Sequence, residues 1–203
     1  MTVLPHRTMN QMQMGTNNPI VYLLKIETPI DLSTLQFLLQ FSPADKQQRI
    51  LRQRVKQNAD NMATGGALVR YMLWKYLHVP PEAQIAYGEF GKPYLLDYPE
   101  VHFNISHSGQ YVACAVGSKP VGIDVQIITP YRPDVAMRVC STSELAQINA
   151  SSNQAAEFTK IWTKKEACAK RTGLGIANSL SHNSSPLESF SKCIENMFLS
   201  VSI

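Results

Sequence analysis

Val101 to Ile127 reads VHFNISHSGQYVACAVGSKPVGIDVQI, three strand patterns joined by two turns. Val101, Phe103 and Ile105 alternate with His102 and Asn104, the period of two expected of a half-buried strand. Ser106-His107-Ser108-Gly109 then supplies turn formers. Tyr111 to Val116 is continuously apolar, as a strand covered on both faces would be. Gly117-Ser118-Lys119-Pro120 is the second turn. The third strand sorts Val121, Ile123, Val125 and Ile127 to one face and Gly122, Asp124 and Gln126 to the other. Asp124 and Gln126 then stand about 7 Å apart along the strand, and Gly122 is expected to leave space beside them. A carboxylate, an amide oxygen and a bare glycine look like half of a metal site, and no structural duty for Asp124 is evident.

Upstream, Ile20 to Ile26 predicts a strand, and residues 1–19 read as an unstructured tail without the apolar segment of a signal peptide. Leu32 to Gln40 predicts a short helix. Pro43 to Val55 predicts another, with Ser42 as its cap and Lys46, Arg49, Arg52 and Arg54 along it. That row is either a solvated basic face or a set of cations that hold phosphates or an acidic protein. Ala59 to Tyr76 is the longest apolar-periodic helix, and Gly65-Gly66 inside it predicts close approach by another backbone. Downstream, Ser141-Thr142-Ser143-Glu144 is a capping-box sequence. Ala155 to Arg171 predicts the second long helix, stopped by Gly173. Glu166 and Lys170 fall one turn apart in the row of Trp162, the spacing of an ordinary surface ion pair.

The 203 residues suffice for one core or two small ones, and 44% hydrophobic content is that of a globular chain. A formal charge of +4 suits anionic partners without requiring nucleic acid. No apolar run approaches the roughly 20 residues that span a membrane. The four cysteines are widely spaced and form no CxxC pair, which points to a reducing, cytoplasmic setting.

Gly91-Lys92-Pro93, Phe103-Asn104-Ile105-Ser106-His107-Ser108, Gly122-Ile123-Asp124, and Trp162 with Lys165-Glu166-Ala167 and Lys170 follow one another in a fixed order. Together they resemble the 4'-phosphopantetheinyl transferases of the monomeric, surfactin-synthetase-activating type. The resemblance runs from about Ile20 to about Ser191, where residues 186–191 look like the start of a late strand of the family. It implies an α+β fold, a pseudo-twofold pair of similar halves, each a long helix on a small antiparallel sheet. Residues 20–117 would form the first half and residues 122–203 the second, with coenzyme A between them.

The same resemblance implies transfer of 4'-phosphopantetheine from coenzyme A to a serine of an acidic acyl or peptidyl carrier protein, with Mg²⁺ as cofactor. Asp124 and Glu166 would ligate the metal, with Gln126 beside them. Glu166, Lys170 and His107 would be catalytic. Lys46, Arg49, Lys92, Ser106, His107 and Lys170 would hold coenzyme A. The enzyme would be a cytoplasmic monomer acting without nucleic acid or membrane. Three departures stand against the pattern. Gln126 occupies the place of a second acid. Asn61 and Met62 occupy the places of an arginine and a small hydroxyl residue. The residues after Ser191 do not match, so the second half is expected to lack its last strands. The alternative is a truncated, non-catalytic relative that binds coenzyme A or a carrier protein. A hydrolase built on Ser106 and His107 fits poorly, because chain neighbours rarely form a nucleophile and its base.

Overall fold

The computed structural model describes residues 7–13, 19–174 and 189–203, and it is a mixed α+β chain with antiparallel sheets. The described residues start with β1 (Arg7–Gln13) and β2 (Ile20–Ile26), then three helices: α1 (Leu32–Leu39), α2 (Ala44–Leu51) and α3 (Lys56–Leu77). A small hairpin follows, β3 (Ile85–Tyr87) and β4 (Pro93–Leu95), and then β5 (His102–Ser108), β6 (Tyr111–Gly117) and β7 (Gly122–Ile127). Among the described residues there follow α4 (Pro133–Val139), α5 (Thr142–Ala150), α6 (Gln154–Thr172), β8 (Ser189–Ile194) and β9 (Met197–Ser202).

Four layers result. The first sheet has the order β1-β2-β6-β5, and the second has β7-β9-β8. One face of the first sheet packs on α1 and α3 through Tyr22, Leu24, Phe103, Val112, Cys114 and Val116. Its other face meets the second sheet through Val21, Leu23, Tyr111 and Ala113, against Ile123, Val125, Leu199 and Val201. The apolar run of β6 therefore reads as continuous because its alternate residues enter two different cores. Each large side chain so buried contributes about 1.5–3 kcal/mol. The second sheet's outer face carries α6, held in part by a 2.9 Å hydrogen bond between the Thr163 and Ser200 hydroxyls.

Several local expectations are modified. Arg7–Gln13 pairs with β2 along its whole length, from Arg7 opposite Ile26 to Gln13 opposite Ile20. This corrects the reading of residues 1–19 as an unstructured tail; residues 1–6 and 14–18 lie outside the described residues. The strand closes an edge that β2 would otherwise leave open, and its MNQMQ sequence has no apolar alternation to announce it. Ser42 does not cap α2: Pro43 is the capping residue, and the Ser42 hydroxyl is buried without a partner. A Cβ on Gly66 would lie 2.5 Å from that hydroxyl, so the glycines of α3 admit side chains rather than the expected backbone. Residues 133–139 form α4, with Pro133 in its first turn. In the C-terminal stretch, β8 and β9 form a hairpin that extends from β7. The late-strand pattern at residues 186–191 coincides with β8 only from Ser189, and residues 186–188 lie outside the described residues.

The helix ends follow their sequences. Ser141 and Glu144 satisfy each other's backbone amides at the start of α5 in a full capping box. Asn153 caps α6, and Gly173, at φ +74°, closes it in the left-handed conformation that favours glycine.

Candidate active site

The third strand presents the faces its sequence predicts, but the space beside Gly122 is filled. A Cβ there would stand 1.9 Å from the Ala167 carbonyl oxygen. The glycine serves close approach: α6 lies on β7 backbone to backbone, which brings Glu166 and Lys170 up to Asp124. Lys170 reaches across to Asp124, its ammonium 2.6 Å from Oδ1, rather than along its own helix to Glu166.

β7 pairs with β9 on one edge, and side chains of β5 serve the amides of the other. Asn104 Oδ1 accepts from Ile123 N at 3.0 Å, Ser106 Oγ from Val125 N at 3.2 Å and Ser108 Oγ from Ile127 N at 3.1 Å. Alternate polar residues of β5 thus replace a backbone ladder and join the two sheets. Ser106 does more, since it also donates to Asp124 Oδ1 at 2.7 Å and accepts from Lys170 Nζ at 3.0 Å. Asp124 therefore has a structural duty that its sequence context does not show. Its second oxygen, Oδ2, is buried with no hydrogen-bond partner among the described residues.

Glu166 is half-buried in the wall of a 220 Å³ cavity with Lys170, Lys92, Phe90 and Asn104. Burial pushes its carboxyl above the ordinary glutamate range; the Lys170 ammonium opposes that shift and the Asp124 carboxylate adds to it. Gln126 is half-buried on the same strand, its amide nitrogen 3.4 Å from Ile127 O.

A larger cleft of 570 Å³ adjoins this cavity through Gly91, Pro93, Asn104 and Ile105. Lys46, Arg49 and His107 line it, with Asn61, Met62 and Tyr87. His107 points away from Ser106, as neighbours on a strand must. It is open to solvent, yet the concave wall around it still disfavours its cation. Burial lowers its imidazole below the usual range, and Lys170 and Lys46 reinforce this. Burial likewise lowers Lys46, with Arg49 adding to the effect. Cations crowded into a concavity, with no ion pair among the described residues, are suited to a polyanion.

Two expected ligand residues have protein partners. The Ser106 hydroxyl is enclosed at the Asp124 junction, on the far side of β5 from His107. The Lys92 ammonium donates to Arg171 O at the end of α6, a cation on the carbonyl end of a helix. Lys165 pairs with Glu144 at 2.9 Å and fastens α5 to α6. Asn61, in the place of an expected arginine, donates to Gly109 O at 2.8 Å and so steadies the β5–β6 turn. Asn104 and Ser108 are the residues that sequence reasoning passed over; their signal is the alternation Asn-x-Ser-x-Ser, which only the neighbouring strand makes meaningful.

Residues 120–197 match the profile of the 4'-phosphopantetheinyl transferase superfamily, and residues 29–119 match that of the 4'-phosphopantetheinyl transferase N-terminal region. A 4'-phosphopantetheinyl transferase of Bacillus subtilis is 34% identical over 175 residues, covering 84% of this chain and 75% of the relative. The chain belongs to the 4'-phosphopantetheinyl transferase superfamily. The transferase Sfp of Bacillus subtilis (strain 168) is 30% identical over 174 residues, with the same coverage of 84% and 75%. The transferase gsp of Aneurinibacillus migulanus is 33% identical over 156 residues, 75% of this chain and 65% of that one. In this phosphopantetheinyl transferase the two profiles meet at residues 119 and 120, in the link between β6 and β7.

The donor set also bears on a metal. Among the described residues no three His, Cys, Asp or Glu side chains cluster as a complete metal site. Two carboxylates with an unpartnered buried oxygen suit Mg²⁺, which keeps waters and shares its octahedron with substrate phosphates.

Proposed function

We propose that the chain transfers 4'-phosphopantetheine from coenzyme A to a serine hydroxyl of an apo acyl or peptidyl carrier protein, leaving adenosine 3',5'-bisphosphate. The observation that carries this reading is the adjacency of two features. Glu166 and Lys170 line a small cavity, with Asp124 bonded to Lys170 behind its wall, and that cavity adjoins a cleft lined by Lys46, Arg49 and His107. Phosphate charge would be held by the cleft cations, with His107 donating to it when protonated. Asp124 and Glu166 would hold Mg²⁺, with Gln126 as a neutral neighbour. When bound, the ion supplies charge neutralisation at the pyrophosphate. Glu166 is the carboxylate placed to accept the proton of the attacking serine. Lys170, already within reach of Asp124, supports the departing phosphate. The phosphorus–oxygen bond to the nucleotide breaks as the bond to the serine oxygen forms.

The architecture reads as a pseudo-twofold pair, residues 20–117 and residues 122–203. In support, α3 lies on one sheet and α6 on the other, with the sheets face to face between them. A non-catalytic relative is the weaker reading, since Lys170 holds Asp124 and shares a cavity wall with Glu166. The basic cleft is consistent with an acidic carrier. Four free cysteines are consistent with a reducing cytoplasm, and a monomer places every proposed group in one chain. No helix among the described residues is long and apolar enough to cross a membrane.

The test is incubation with coenzyme A, Mg²⁺ and an apo carrier protein, followed by mass spectrometry of the carrier. The carrier should gain one phosphopantetheine, and chelation of the metal should stop the gain. A folded chain that leaves several carriers unmodified would overturn the reading.

A further inference from the structure

Ser106 sits at a junction whose hydrogen-bond accounting closes. A serine hydroxyl offers one donor and two acceptor sites. Val125 N at 3.2 Å and Lys170 Nζ at 3.0 Å both donate to Oγ and fill the acceptor sites. The single proton is thereby directed to Asp124 Oδ1, 2.7 Å away. That oxygen also accepts from Lys170 at 2.6 Å. One carboxylate oxygen is thus doubly engaged while Oδ2, buried, has no partner among the described residues. An orphaned buried carboxylate oxygen is costly unless something occupies it. Ser106 and Lys170 both hold Oδ1, and of the two the serine is the one pinned to the backbone of Asp124's own strand, through Val125 N.

We propose that Ser106 is a positioning residue of the metal site: its hydroxyl engages Asp124 Oδ1 and holds Oδ2 in place as the metal-ligating oxygen. This rests on the Mg²⁺ reading above and assigns Ser106 to the metal rather than to the coenzyme A phosphates. The rest of the β5 comb supplies the control. Ser108 makes the same kind of bond to a β7 amide, Ile127 N at 3.1 Å, but has no carboxylate contact among its hydrogen bonds. Loss of a bond that orients a ligand weakens metal affinity by roughly 10–100-fold.

Mn²⁺ serves as the probe, with free ion counted by electron paramagnetic resonance in the presence of coenzyme A. Ser106→Ala should weaken Mn²⁺ binding by about 10-fold or more, whereas Ser108→Ala should stay close to the unmutated chain. Thermal melts of both variants accompany the titration. If Ser106→Ala melts at the working temperature, the isosteric pair Ser106→Thr and Ser106→Val replaces it, with the hydroxyl-bearing threonine binding the tighter of the two. Equal Mn²⁺ affinity in Ser106→Ala and the unmutated chain would overturn the proposal. Equal losses in Ser106→Ala and Ser108→Ala would also overturn it, since a purely structural comb predicts that result. No Mn²⁺ binding by the unmutated chain would overturn the metal reading itself, and the proposal with it.

Discussion

The backbone of Gly122 lies so close to α6 that a Cβ would stand 1.9 Å from Ala167 O and 2.4 Å from Arg171 N. Both contacts are with backbone, which cannot rotate away. The residue with no side chain is therefore the one that sets the distance between two elements carrying Asp124 on one side and Glu166 and Lys170 on the other. Gly122→Ala must push α6 off β7. Overpacking of this kind costs about 1–3 kcal/mol, occasionally more. Urea unfolding should show that loss, and the variant that remains folded should transfer phosphopantetheine poorly at any coenzyme A concentration. A variant with unchanged stability would mean that the two backbones are not in contact.

Glu166→Gln separates a structural from a chemical role. Burial already disfavours the Glu166 charge, so a neutral amide of the same shape should keep or raise stability at neutral pH. Transfer at saturating coenzyme A should nonetheless fall to a small residue, because the amide cannot take the serine proton. Single-turnover transfer and a thermal melt on the same preparation check both halves. Near-full transfer would remove Glu166 from the mechanism.

His107 gives a proton-linkage signal. Burial, with Lys170 and Lys46 next, holds its imidazole below the ordinary value of about 6.5. A polyanion in the cleft opposes the repulsion from these cations and raises it. Between the two values, binding coenzyme A takes up as much as about one proton. Calorimetry near neutral pH in buffers of different ionisation enthalpy measures the uptake. It should vanish in His107→Ala. If the unmutated chain takes up none, the phosphates do not lie against His107.

Glu195 ties the C-terminal hairpin to the first sheet, accepting from Lys25 at 2.7 Å and from the Tyr111 hydroxyl at 2.6 Å. The Lys25 bond, then the Tyr111 bond, lowers its carboxyl below the ordinary range. A depressed carboxylate stabilises the fold fully above its unfolded value, about 4.3, and loses that contribution as pH falls through the lower folded value. Glu195→Gln should accordingly melt below the unmutated chain at neutral pH, with the gap closing toward pH 3. A gap that stays constant with pH would show that the contact is not electrostatic.

Much of this enzyme is written locally. The two long helices, the capping box at Ser141, the stop at Gly173 and the two faces of β7 follow from periodicity and end signals within a few residues of each site. The ordered motifs place the chain near its family before any contact is known. What required the tertiary structure were the pairings between distant residues. Glu166 and Lys170 have the spacing of a surface ion pair, and only the approach permitted by Gly122 turns Lys170 toward Asp124. Lys92 looks like a free cation until α6 offers it the Arg171 carbonyl. Asn104, Ser106 and Ser108 look like turn formers until the open edge of β7 supplies amides at the same two-residue period. The β1 strand has no apolar alternation and is defined by the edge of β2 that it covers. Periodicity determines which face a side chain occupies; what that face meets depends on the other elements of the fold, and hydrogen bonding and desolvation act on that meeting.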